Sequence, residues 1–235
     1  MLSCNDPFGD HPADHAARLR LSQLSNQHGI KPGSVSLGDT VKISDFFNAE
    51  FAAHHAVARA AEAELRGAFT ALLAACVTSI RAGGKIMLFG NGGSAADAQH
   101  LATELTIRYK RNRSPIAAIA LTTDTSAITA CGNDLGFDFI FDRQIEALGR
   151  AGDIAIAIST SGKSPNIVSA LKRAKAMRIV TAGLSGNGGG DMVGLTDHLL
   201  IVPSDITARI QEMHILFGHM LCGALEIELG LSAPD

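Results

Sequence analysis

Tryptophan is absent from this 235-residue chain and tyrosine occurs once, at Tyr109. That scarcity argues against an aromatic platform on which sugars or bases would stack. Cysteine is also sparse: Cys4, Cys76, Cys131 and Cys222 lie far apart and form no Cys-x-x-Cys pair. Neither a disulfide framework nor a thiolate zinc site is signalled, and a reducing cytoplasm fits this usage best. Excess charge of either sign is lacking too, with 20 basic against 23 acidic residues and a net charge of -3. The balance gives no electrostatic reason to expect nucleic acid or an anionic membrane as partner. The opening "MLSCNDPFGDHPADHAARLR" has no apolar signal-peptide core, and no apolar run reaches membrane-spanning length. What is present is a hydrophobic fraction of 46%, enough for one substantial core and hence one main domain.

Residues 1–42 are polar, rich in His, Gly and Ser, and weakly periodic. They read as a mobile arm with one short helix over 14–26. Residues 43–235 form the domain proper. It opens with a long Ala-rich helix over 44–81, with Ser44 as N-cap and Gly83-Gly84 closing it. Five short apolar runs follow: "KIMLF" from Lys85, "IAAIAL" from Ile116, "IAIAI" from Ile154, "IVTAGL" from Ile179 and "HLLIV" from His198. They are continuous rather than alternating, as strands buried on both faces are. Helical segments over 95–108, 124–131 with 137–148, 165–177 and 205–229 accompany them. The alternation predicts an α/β fold, a doubly wound parallel five-stranded sheet with a long N-terminal helix. "GNGGGD" from Gly186 reads as a flexible loop.

Ligands in such sheets sit outside the carboxyl ends of the strands, and two strand ends carry suitable chemistry. Asn91-Gly92-Gly93-Ser94 follows the first run; glycines let backbone N–H groups approach an anion, and the next helix presents its positive end. "ISTSGKSPN" follows the third run and gathers Ser159, Thr160, Ser161 and Ser164 around Gly162. Four hydroxyls and a helix start can wrap a phosphate without arginine. An ordinary strand-to-helix turn uses Ser, Gly and Pro as well, but this density of hydroxyls exceeds what an N-cap needs. Neither stretch fits the Walker or the Gly-x-Gly-x-x-Gly pattern.

His100 and Glu104, four residues apart on the helix after Asn91, project from one face and can reach one ligand or metal. On the last helix, Gln211 and His219 are eight residues apart, about 80° offset in projection, so both can face one cleft. His214 can do the same, and spacing does not choose between it and His219. His54, His55, His11, His15 and His28 read as packed or surface residues.

Four stretches, "GNGGSAADAQHLATEL", "TTDTSAITACGNDLGFD", "ISTSGKSPN" and "RIQEMHILFGHMLC", together resemble the bacterial phosphoheptose isomerases of the sugar isomerase (SIS) superfamily. The resemblance runs in order over about residues 46–229 and leaves the arm outside. It implies a flavodoxin-like SIS domain assembled as a homotetramer with active sites at subunit contacts. It also implies conversion of sedoheptulose 7-phosphate to D-glycero-D-manno-heptose 7-phosphate. By resemblance Ser159, Thr160, Ser161 and Ser164 hold the phosphate. Asn91, Gly92 and Gly93 contact the substrate, Ser94 starts the helix, and Asn133 and Asp134 line the sugar chain. Arg108 lies near the reacting end, and Glu104 and His219 form the acid/base pair. His100, Glu104, Gln211 and His219 match positions that bind zinc in several members, and Gln211 belongs to the substrate set as well. Ala208 stands where some members carry Asp, which bears on a secondary polar contact. A non-enzymatic SIS binding module, a sugar-phosphate sensor domain and an isomerase of an eight-carbon ketose phosphate are the competing readings. Retention of Glu104, Gln211 and His219 together favours an enzyme.

Overall fold

The computed structural model describes residues 42–231. The expected arm and its short helix over 14–26 lie outside the described residues. The chain divides into two compact units, Met1–Phe47 and Asn48–Asp235; of the first, only residues 42–47 are described. Helix α1, Ile43–Arg81, starts one residue before Ser44, so Ser44 is not the cap the sequence suggests: its hydroxyl lies in the first turn, 3.5 Å from the Asp45 carboxylate.

The remaining elements are β1 (Ile86–Gly90), α2 (Gly93–Thr106), β2 (Ala118–Ala120), α3 (Thr125–Asp134), a 3-10 turn at Phe137–Phe139 and α4 (Asp142–Leu148). Then come β3 (Ile154–Ser159), α5 (Pro165–Ala176), β4 (Val180–Ser185), a 3-10 segment at Asn187–Met192, β5 (His198–Ile201) and α6 (Thr207–Glu228). The five strands are all parallel in the order β2-β1-β3-β4-β5. This is the flavodoxin-like order, whose switch point falls between β1 and β3, where the chain leaves toward opposite edges of the sheet.

Period-two side chains explain why the strands read as unbroken apolar runs. In β1, Ile86 and Leu88 face one core with Ile154, Ile156 and Ile158 of β3; Met87 and Phe89 face the other with Ala155 and Ala157. The first core is closed by α1, α2 and α6, through Ala61, Leu72, Ala98, Leu101, Ile210 and Leu225 among others. The second is closed by α4 and α5, through Ile145, Ile167, Ala170 and Leu171. Burying a Leu or Ile there contributes about 1.5–3 kcal/mol.

Two readings change. The expectation that no apolar run reaches membrane length does not hold for α1, which is long and apolar enough to cross a membrane by length and composition alone. In this fold its Ala61, Leu65, Leu72 and Cys76, spaced at helical intervals, instead join the first core. The "GNGGGD" loop is a built 3-10 segment, with Asn187 and three successive glycines at positive φ. It is tied to the loop after β3: Asp191 N–H donates to the Gly162 carbonyl at 3.0 Å, and Asn187 Nδ2 donates to the Thr160 carbonyl at 3.1 Å.

Candidate functional site

The two loops singled out from sequence flank the switch point. Gly90 and Ile158 are register partners in adjacent strands, so the segments that follow them emerge side by side. They are joined by a reciprocal amide pair: Asn91 Nδ2 donates to Asn166 Oδ1 at 2.9 Å and Asn166 Nδ2 donates to Asn91 Oδ1 at 2.8 Å. Asn91 thus has a structural partner, and Asn166 is a site residue that the sequence reading quoted without assigning. Gly92 sits at φ 56, ψ -121, a conformation open essentially to glycine. A Cβ on Gly93 would lie 3.0 Å from the Gln211 amide nitrogen, so a bare backbone lets α6 approach this turn. Ser94 is buried at the start of α2.

The loop after β3 is a hydroxyl-lined turn. Ser159 Oγ accepts from the Gly162 N–H at 3.2 Å, and Ser161 Oγ accepts from the Lys163 N–H at 3.2 Å. Gly162 has φ 64, and a Cβ there would run into the Gly189 carbonyl. Ser164 occupies the N-cap of α5 yet makes no side-chain cap bond. An N-cap serine ordinarily spends its oxygen on the helix's own N–H groups. Here Pro165 brings no N–H and the Ile167 N–H turns back to the Ser164 carbonyl at 3.0 Å, so the Ser164 hydroxyl and the Asn166 N–H are the donors that face the mouth of the turn. Thr160, Ser161 and Ser164 are partly exposed, whereas Ser159 is buried.

Helix α2 carries His100 and Glu104 toward α6. His100 Nε2 and His219 Nε2 are 2.8 Å apart, and His100 Nε2 is 3.6 Å from Glu104 Oε1. The fold therefore chooses between the two histidines of α6. His219 faces α2 with its ring stacked on Tyr109, at 5.5 Å and 19°; His214 is 1% exposed in the core. Gln211 lies at the Gly93 turn, in a first helical turn anchored by Arg209. That guanidinium pairs with Glu50 at 2.9 Å and with Glu212 at 2.5 Å, while His54 Nδ1 meets Glu212 Oε2 at 2.8 Å. Asp97, one turn before His100, also belongs to the site. Burial raises its pKa while His100 and His219 pull the other way. Its i, i+3 spacing to His100 was a usable signal; Tyr109, more than 100 residues from His219, gave none.

Other expected residues are less closely gathered. Arg108 is exposed just after the end of α2. Asn133 and Asp134 are exposed at the end of α3 and bonded to each other at 2.8 Å. Among the described residues no three His, Cys, Asp or Glu side chains converge as one metal cage; His219, His100 and Glu104 instead form a chain of pairs.

His214 has no full hydrogen-bond partner at either ring nitrogen. Burial pushes its pKa down to about 4, against a smaller upward pull from the backbone of Ser185. A depressed histidine pKa means that the unfolded chain binds the extra proton between pH 6.5 and 4. Stability is then full above about pH 6.5 and falls as pH drops through that window, by about 3 kcal/mol in total. Urea unfolding from pH 7 to pH 4 should show this loss in the wild type and largely not in His214→Leu. Superimposable pH profiles for the two proteins would refute it.

Residues 51–186 match the SIS domain, and the chain belongs to the SIS domain family. It is 59% identical over 186 residues to the phosphoheptose isomerase of Paramagnetospirillum magneticum, covering 79% of this chain and 97% of that protein. Identity to phosphoheptose isomerase 1 of Campylobacter jejuni is 55% over 177 residues, covering 75% and 95%. The solved phosphoheptose isomerase of Neisseria gonorrhoeae superposes with TM-score 0.74 at 42% identity, over 79% of this chain and 99% of that one. That of Francisella tularensis gives 0.76 at 37%, over 79% and 98%. Within the SIS family the chain thus falls among the phosphoheptose isomerases, and it is an enzyme.

Proposed function

We propose that this enzyme is an aldose–ketose isomerase that converts sedoheptulose 7-phosphate to D-glycero-D-manno-heptose 7-phosphate, supplying heptose precursors. The observation that carries the reading is the approach of Glu104, His100 and His219 on two helices, one of them launched by the glycine loop at the switch point. The turn at 159–164 takes the phosphate, with the hydroxyls of Thr160, Ser161 and Ser164 and the Asn166 N–H as donors. Asn91, Gly92, Gly93, Ser94 and Gln211 line the sugar, as do Asn133, Asp134 and Arg108. Isomerisation moves a proton between adjacent carbons through an enediol. Glu104 takes the proton from one carbon and returns it to the next, and His219, held by Tyr109 and His100, serves the oxygens.

His100, Glu104, Gln211 and His219 are nitrogen and oxygen donors of the kind that hold zinc, and the imidazole nitrogens of His100 and His219, 2.8 Å apart as a hydrogen-bonded pair, face each other and would have to part slightly to share one ion. Bound there, zinc would polarise the substrate carbonyl as a Lewis acid. We also propose a homotetramer. Two adjoining hollows of about 640 and 460 Å³ lie along α6, both lined by Phe69 of α1. Exposed Leu216 and Met220 line both hollows, and exposed Ile227 lines the second. A second copy is the occupant that fits, and light scattering giving a monomer mass would exclude it. Cys76, Cys131 and Cys222 are free thiols, which suits a cytoplasmic enzyme.

The purified protein incubated with sedoheptulose 7-phosphate should yield the aldose, with solvent deuterium at the carbon that receives the proton. Chelation should lower turnover and zinc should restore it. Turnover only on an eight-carbon ketose phosphate would replace the substrate. Full activity of metal-free protein would remove zinc.

A further inference from the structure

Behind Glu104 and His219 lies an ion pair with both side chains 1% exposed: Arg113 Nε donates to Glu226 Oε1 at 2.9 Å. The same guanidinium donates to the Glu104 carbonyl at 2.8 Å and to the Leu105 carbonyl at 2.7 Å. These carbonyls belong to the last turn of α2, which ends at Thr106. The last carbonyls of a helix lack intrahelical partners and carry its partial negative charge. Arg113 therefore closes the helix that delivers Glu104, and does so on the backbone of Glu104 itself.

Glu226 acts on the other helix. It stands seven residues after His219 on α6, two turns on and on the same face. Its Oε1 accepts from the Tyr109 N–H at 3.1 Å as well as from Arg113. The Tyr109 ring in turn stacks on His219. One buried pair thus fixes the backbone of Glu104 and, through Tyr109, the ring plane of His219. A buried ion pair adds little stability over an apolar pair of similar size, so position is what this one supplies.

We propose that Arg113 and Glu226 are positioning residues that set the geometry of the proton-transfer pair, an inference that rests on Glu104 and His219 being the acid/base groups. Removing one partner alone would strand a buried charge and risk unfolding. The test is therefore Arg113→Met together with Glu226→Leu in the full chain, assayed with sedoheptulose 7-phosphate. We expect kcat to fall about 10–10²-fold with KM changed less than about threefold, as for misplacement of reacting groups by a fraction of an ångström. Tyr109 is the single tyrosine of a chain without tryptophan, so intrinsic emission reports on this contact. Its quenching by acrylamide should increase in the double variant. Placed in Glu104→Gln, the double swap should lower the residual rate by several-fold less than it lowers the wild-type rate, because one of the two groups it positions is gone.

Wild-type kcat in the folded double variant overturns the inference. So does a loss that carries over in full to the Glu104→Gln background, the mark of a merely structural role. If the double swap does not fold, Arg113→Lys decides: its single nitrogen keeps the charge but cannot hold both carbonyls, so an unchanged kcat overturns the inference. Failure of the acid/base reading has a different signature. Glu104→Gln alone would then turn over at the wild-type rate, and the inference would fall with it.

Discussion

Glu104→Gln should lower kcat about 10²–10⁴-fold while the substrate still binds, because the amide keeps the size and hydrogen bonding of the side chain but cannot accept a carbon-bound proton. The carboxylate sits on α2, a rigid element closed at its C-terminal end, and lies 3.6 Å from His100 Nε2. His219→Gln should also lose turnover, since it removes the partner that meets His100 at 2.8 Å. His214→Gln should lose far less turnover, because that ring lies in the core away from this pair. Steady-state kinetics on the three variants, each with a circular dichroism check of folding, compares them directly. A Glu104→Gln protein isomerising at the wild-type rate would sink the mechanism.

Ser161→Ala combined with Ser164→Ala should raise KM by about 10²-fold or more, since each lost charge-assisted hydrogen bond is worth about 1.5–3 kcal/mol. Ser164 is the more telling of the two because it caps α5 without bonding to it, so its removal takes little from the helix itself. Ser161 also accepts from the Lys163 N–H, so its loss loosens the turn slightly. The turn survives nonetheless: Gly162 remains wedged against Gly189, and its carbonyl still accepts from Asp191. An unchanged KM in the folded double variant would remove the phosphate from this loop. A raised inhibition constant for inorganic phosphate, in the same proportion as KM, would support it.

Much of the architecture was legible because its signals are local. The five apolar runs became five parallel strands within two residues of their expected limits, since burial on both faces demands unbroken apolar sequence. The helices over 95–108, 165–177 and 205–229 shifted by one or two residues at most ends. Helix 137–148 divided, with a 3-10 turn at Phe137–Phe139 before α4. Ser44 misled because side-chain chemistry alone does not fix which residue leaves helical geometry. The alanine-rich length of α1 misled in another way. Composition does not distinguish a helix apolar enough for lipid from one whose stripe packs on a sheet.

The sequence by itself determined the order of strands and helices, the two loops rich in glycine and hydroxyls, and the facing of His100 and Glu104. Each of these depends on residues within one turn, strand or loop. Only the tertiary structure turned His219 rather than His214 toward His100, joined Asn91 to Asn166, placed Tyr109 on His219 and buried Arg113 against Glu226. These contacts span separations from 75 to 119 residues. Their geometry is set by how α2 and α6 lie against the sheet, and by the close approach of α6 that glycine permits at position 93. Helical periodicity says which side chains share a face; it does not say which face of which helix the packing of the core will turn toward another.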